Sequence, residues 1–368
     1  MGSSRLFVFS GGDRIISIRR LLQVLLVLGV TSGCLAYAVA GMDWEKLRQS
    51  AAQADYRMLL PMSLILVAFY ALKGWRWALL LHPVRNLTTW QVTPAMMTGF
   101  MANNLLPAHL GEFVRVLVLG QQFGLKKTPV LSTVVLERVF DILAVLLLLG
   151  TSLFFVEGMP DELRRACHVF GVVSLGGVAV LLSYMLFTQH FIALARRILG
   201  WIPFVPASLS ERVLEMLETA AHGLASVRNP RLLAGISVSS LLQWMLNGLM
   251  VFCAARAFGV PLTYFDSLMV MGIIVFAILL PSPPGYFGVM QACYVAVLVP
   301  RFPQEDVVAC SVFYQMSQFI PVTLVGFVFM NRIGLSLGRL QSAAAAGANP
   351  DATMPTDIGS VESEFVGS

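Results

Sequence analysis

Apolar residues in this chain arrive in blocks close to the roughly 20 residues that a helix needs to cross hydrocarbon, and a soluble fold has no place for a series of them. The blocks fall at 21–41, 58–81, 128–156, 168–189, 232–257 and 305–330. With 57% apolar and only 12% charged residues, against roughly 25% charged in an average soluble domain, the chain lacks the polar surface to cover a globule. The mean hydropathy of +0.77 agrees. The expected fold is therefore all-α, a polytopic helical membrane bundle forming one integral membrane domain over residues 1–340. Soluble enzymes and secreted disulfide scaffolds are excluded.

Two further apolar stretches, 92–120 and 263–300, are interrupted at Asn103-Asn104-Leu105-Leu106-Pro107 and at Pro281-Ser282-Pro283-Pro284-Gly285. Each half is short for a crossing. A broken segment survives at membrane depth only where protein or a wet cavity satisfies the freed backbone groups. Both stretches read as re-entrant helical hairpins lining an interior site, with two complete spans each, about eight in all, as the rival reading.

The net charge of +5 does not form a nucleic-acid patch, because the basic residues sit at the ends of the apolar blocks, where they orient spans. Assigning the termini inside places about twice as many Lys and Arg on the inner segments (Arg14, Arg19, Arg20, Lys126 and Lys127 among them) as on the outer ones. Both termini are thus expected in the cytoplasm, and the first block, long enough to span, reads as a retained anchor. In this layout 58–156 and 232–330 each consist of span, hairpin and span, running in opposite directions. Such an inverted repeat with interrupted helices points to a midplane binding site in transporters. Residues 207–227 carry an apolar stripe at helical spacing, with a capping-box start at Ser208 and a stop at Asn229-Pro230. They are expected to form, within 192–230, a cytoplasmic helix lying on the membrane surface or packed on the bundle. The Ala-, Gly- and Ser-rich tail, 341–368, reads as disordered.

Lys73, Arg76, Glu112, Arg115, Glu137, Arg138 and Asp141 lie in or beside apolar blocks. Unpaired, each costs about 2.5–3.5 kcal/mol near a helix centre; together that is on the order of 20 kcal/mol, beyond a typical net stability of 5–15. They must be paired or wet. Glu112 and Arg115 share a helical face, as do Glu137 and Asp141, two like charges that require a cation (Arg138, Arg115 or Arg76) between them. Lys73 and Arg76 are expected to snorkel toward the cytoplasmic interface, which makes Lys73→Ala a mild change. The other five are functional candidates. Asn103 and Asn104 can donate and accept at the first hairpin's tip, His109 is a titratable neighbour of Glu112, and Pro283, Pro284, Gly285 and Gly288 shape the second. Four positive and three negative charges leave one cation over, which suits a phosphate-bearing headgroup. The five cysteines show no ligand spacing, so no metal, cofactor or disulfide framework is expected.

In order and at this spacing, Asn103-x-x-Leu106-Pro107-x-x-x-Gly111-Glu112-x-x-Arg115, Leu136-Glu137-Arg138-x-x-Asp141 and Pro281-x-Pro283-x-Gly285-x-x-Gly288 resemble the lysylphosphatidylglycerol synthase transmembrane region family over about residues 15–335. The resemblance implies an inner-membrane protein of lipid-flippase type, standing alone or fused to a cytosolic aminoacyltransferase domain. Two functions follow as expectations. The first is a flippase-like protein that binds and translocates a lipid and is itself no enzyme. The alternative is a membrane-embedded enzyme or accessory protein, with Glu137 and Asp141 as paired carboxylates, modifying a lipid-linked substrate together with a separate cytosolic or membrane partner. The chain has no P-loop, dinucleotide fingerprint, H-E-x-x-H or G-x-S-x-G, which weighs against the alternative. Membrane lipids are the expected ligands and the bacterial inner membrane the expected location.

Overall fold

The computed structural model describes residues 18–106, 110–156, 161–186, 230–278 and 284–334, with isolated positions between 190 and 197. Eleven helices and no strand occur among these residues. They are α1 (Ile18–Val39), α2 (Trp44–Gln53), α3 (Leu59–Leu81), α4 (Thr89–Leu105), α5 (Gly111–Phe123), α6 (Lys127–Ser152), α7 (Asp161–Leu186), α8 (Pro230–Ala257), α9 (Tyr264–Ile278), α10 (Val289–Leu298) and α11 (Gln304–Arg332). A helix stands at each of the six long apolar blocks, and each broken stretch is a pair of shorter helices. The surface helix expected over 207–227 and the tail lie outside the described residues.

Local chemistry sets the helix ends. The Asp43 carboxylate accepts from the Glu45 and Lys46 N–H groups and starts α2, while the Gln91 side chain accepts from the Thr88 N–H at the head of α4. Helix α5 stops at Gly124, which takes the left-handed conformation at φ +62°. Pro230 opens α8, where a missing N–H costs nothing. Helix α7 begins seven residues before the apolar block at 168, at Asp161, an acidic residue of the kind favoured at a helix start. Helix α6 ends at Ser152, short of residue 156; there the chain turns and stacks Phe155 on Phe265 at 4.5 Å.

Large apolar side chains face outward in stripes at helical spacing, among them Leu60, Leu64 and Val67 on α3 and Ile320, Leu324 and Val328 on α11, while Arg76, Glu137, Gln243 and Asp266 are buried. An apolar exterior over a polar interior is the pattern of a helical membrane protein. Three segments, Tyr56–Leu81, Arg231–Ala257 and Gln304–Arg332, are by length and composition apolar enough to cross a membrane.

Helices α3 and α8 pack against each other. Helix α4 packs on α11 as α9 packs on α6; α3 meets α4, α6 and α11 as α8 meets α9, α11 and α6; and the pairs α4–α5 and α5–α6 correspond to α9–α10 and α10–α11. Exchanging α3–α6 for α8–α11 maps this set of neighbours onto itself. Beyond it, α1 lies against α10, α2 against α11 and α7 against α6.

The two hairpins are closed differently. At the α4–α5 crossing Gly99 and Gly111 face one another, with no room for a Cβ on either, and Asn103 Oδ1 accepts from the Gly111 N–H at 2.7 Å. In the second hairpin Arg301 donates to the fully buried Asp266 at 2.5 Å, joining the start of α9 to the end of α10. Its interruption is held by two glutamines. Gln291 accepts from the Gly288 N–H at 2.8 Å and donates to Gln315 at 2.6 Å, and Gln315 donates to the Gly285 carbonyl at 2.6 Å.

Candidate functional site

The charged residues of three separate helices, α3, α5 and α6, converge beside the first hairpin. Arg76 on α3 is fully buried and forks between the two carboxylates of α6, reaching Asp141 at 2.7 Å and Glu137 at 3.1 Å, with Ser240 of α8 also at 2.7 Å. Lys73, one turn earlier, stands 3.4 Å from Glu137 and 3.7 Å from Asp141. Its ammonium lies 5.4–5.9 Å from the ring centres of Phe69, Phe100 and Trp244, within the range of cation–π attraction. Trp244 Nε1 in turn donates to Asp141 at 2.8 Å. Glu137 and Asp141 do share a face, and the cations that separate their charges are Arg76 and Lys73.

These positions correct the expectation that Lys73 and Arg76 snorkel. Both are buried, because two carboxylates on α6 and an aromatic box compensate the charge within the bundle, and side chains so held have no reason to extend toward an interface. The mild effect expected of Lys73→Ala falls with that reading.

The first hairpin adds a second tier. Arg115 lies against Trp77 at 5.0 Å. It stands 2.9 Å from Glu137 and 2.8 Å from Glu112, but its N–H groups point off both oxygens, so it acts as a neighbouring charge rather than as a donor. Glu112 uses its other oxygen to accept from Arg138. The Arg138 side chain is 40% exposed, and Asp141 is 3.8 Å from it.

A cavity of ≈ 410 Å³ opens beside this network, in the range of small-molecule sites. Lys73, Glu112, Arg138 and Asp141 line it, whereas Arg76, Arg115 and Glu137 stand behind as a buried frame. Apolar lining comes from Met271, Ile274, Val275 and Ile278 of α9 and from Val322 of α11. The rest of the lining combines aromatic rings, among them Phe69, Phe100 and Trp244, with the polar amides of Asn103, Asn104, Asn247 and Gln315. Asn104 is held by Thr323 at 3.0 Å, and Asn247 accepts from Tyr314 at 2.8 Å.

Among the residues singled out from sequence, Asn103, Asn104, Glu112, Arg138, Asp141 and Gly285 reach the cavity wall, and Glu137 and Arg115 brace it. Pro107, His109 and Pro283 lie outside the described residues. Pro284 begins a short 3-10 turn and Gly288 abuts α1, where a Cβ would meet the Thr31 carbonyl at 3.0 Å; neither lines the cavity. Sequence reasoning missed the aromatic box, Ser240 and Gln315. The one signal for them was polar residues recurring inside apolar blocks, as at Ser240, Gln243 and Asn247.

The family model described as Lysylphosphatidylglycerol synthase TM region matches residues 21–326. A UPF0104 membrane protein of Methanothermobacter thermautotrophicus is 24% identical over 326 residues, 84% of this chain and 90% of that protein. Glycosyltransferase AglD of Haloferax volcanii is 24% identical over 346 residues, 83% of this chain and 54% of that protein, so the chain spans about half the length of this relative.

Proposed function

The chain belongs to the lysylphosphatidylglycerol synthase TM region family, and from that membership and the charged cavity we propose that it is a flippase-like protein of the plasma membrane. It binds the anionic, phosphate-bearing headgroup of a lipid and carries it across without altering it chemically. The observation that carries this reading is the mixed lining of the cavity, with the ionised Lys73, Glu112, Arg138 and Asp141 contributed by α3, α5 and α6 and the apolar Met271, Ile274, Val275 and Ile278 by α9. An amphipathic ligand fits such a space better than a purely polar or purely apolar one. The exchange relation between α3–α6 and α8–α11 supports a layout of six spans and two oppositely facing re-entrant hairpins, with cytoplasmic termini, in which the cavity lies where the two halves meet.

The test is movement of headgroup-labelled phosphatidylglycerol in proteoliposomes containing the purified chain. Wild type should accelerate it over protein-free vesicles, and Arg138→Ala, at matched reconstitution, should lose at least about 90% of that rate, since a bidentate arginine is the strongest phosphate contact available there. Equal rates for the two would remove the assignment.

The match to about half of a protein named a glycosyltransferase supports a second reading, a membrane partner for a separate enzyme that modifies a lipid-linked substrate. That reading requires the purified chain to be inactive alone and to bind its lipid only for delivery.

A further inference from the structure

We infer that Glu112 is a built-in stand-in for the ligand's phosphate: its carboxylate occupies the anion position on Arg138, and a phosphate-bearing ligand enters by displacing it. The inference rests on the reading above that the cavity takes a phosphate ester. Of the four cations, Arg138 alone combines a place on the cavity wall with a substantially exposed side chain, 40% against 6% for Lys73, 2% for Arg115 and 0% for Arg76. Its partner is the least buried of the three carboxylates, 15% exposed against 1% for Glu137 and 4% for Asp141.

The anchoring of these carboxylates differs in the same sense. Glu137 has Lys73, Arg76 and Arg115 around it, and Asp141 has Lys73, Arg76, Trp244 and Arg138. Glu112 has Arg115 and Arg138, one at each oxygen. It can therefore release Arg138 through one oxygen while the other stays beside the Arg115 charge. Glu112 is also the second residue of α5, so its exchange involves a side chain at a helix start and leaves the α4–α5 backbone contact in place. A phosphodiester carries the same single negative charge as the carboxylate it replaces, so the exchange leaves the charge on Arg138 balanced throughout. Re-formation of the Glu112–Arg138 pair then expels the ligand.

The experiment measures binding of short-chain phosphatidylglycerol, glycerol phosphate and diacylglycerol to the purified full chain in detergent, for wild type, Glu112→Gln and Glu112→Asp. Removing the competitor should tighten phosphatidylglycerol binding on the order of tenfold in Glu112→Gln, the worth of one charge-assisted contact, while slowing its movement in vesicles. Glu112→Asp retains the charge but withdraws it by one methylene from Arg138, and should also bind more tightly. It answers the question if the glutamine variant does not fold. Adding Arg138→Gln to Glu112→Gln should abolish the gain.

Tightening shared by glycerol phosphate would identify the phosphate ester itself as the displacing group; tightening confined to the lipid would show that displacement needs the acyl chains as well. Equal tightening of diacylglycerol, which has no phosphate, overturns the inference. So does weaker or unchanged phosphatidylglycerol binding in both variants when wild type binds, because Glu112 would then be a ligand contact or a strut. A folded wild type that binds none of the three removes the phosphate-ester reading first and this inference with it.

Discussion

Arg76 shows most directly what one side chain contributes to this protein. Its guanidinium bridges two buried carboxylates and bonds a serine on a third helix, so its removal leaves Glu137 and Asp141 with Lys73 as their nearest remaining shared cation. Breaking a buried ion pair by deleting one partner costs about 3–5 kcal/mol, because an uncompensated charge stays behind in a medium that cannot solvate it. Arg76→Leu should accordingly lower the thermal unfolding temperature in detergent markedly or prevent accumulation in the membrane. Lys73→Ala, whose carboxylate contacts are longer at 3.4 and 3.7 Å, should cost about 1–3 kcal/mol. An unfolding series ranking Lys73→Ala above Arg76→Leu would contradict this hierarchy. Gly285 illustrates the opposite case, a residue defined by what it lacks. At φ +66° a Cβ would meet the Phe287 and Phe319 rings, each at 2.8 Å, so Gly285→Leu should strain the turn, push one ring into the cavity and reduce lipid movement.

At the scale of elements the two hairpins rely on different forces. The first is closed by two glycines that let α4 and α5 touch backbone to backbone, plus one side-chain cap from Asn103. The second is closed by a buried carboxylate–guanidinium pair at its ends and a glutamine relay at its break. Gly111→Ala should therefore be severe, since its methyl would run into the Gly99 carbonyl and the Asn103 amide, whereas Gly177→Ala, with open space around the site, should be neutral or slightly stabilising through helix propensity. Thermal unfolding of the two variants side by side checks this, and similar values would mean that the α4–α5 contact bears no load. The glycine signal was legible at Gly111 only as part of a motif. That its partner is Gly99, twelve residues earlier, depends on how the hairpin folds back, which no local pattern specifies.

For the whole molecule, the proposed inverted layout carries a topological consequence. It opens the two hairpins to opposite faces, so single cysteines at Gln91 and Gln121, in a cysteine-free background, should both be labelled by an impermeant reagent from the cytoplasm. Cysteines at Gly259 and Arg301 should both be labelled from outside. If the members of either pair are reached from opposite faces, that hairpin is an odd number of crossings and the inverted layout is wrong.

What the sequence determined by itself was the solvent and the elements. Twenty-residue apolar blocks impose helices in lipid because every backbone group must then be satisfied within its own segment, and that constraint is local, so six helices and two interrupted pairs could be read along the chain. The charges at Glu112, Arg115, Glu137, Arg138 and Asp141 were legible for a related reason, since each is costly in hydrocarbon wherever it ends up. The tertiary structure alone decided who pairs with whom. Lys73 and Arg76 read as snorkelling side chains because their helix, taken singly, has only lipid and the interface to offer them. Packed beside α6 and α8 they meet two carboxylates and a serine, at separations of 61 to 164 residues in the chain. Long-range electrostatic pairing has no periodicity along a sequence, and the division of one charge cluster into a buried frame and a cavity wall exists only once the helices are assembled.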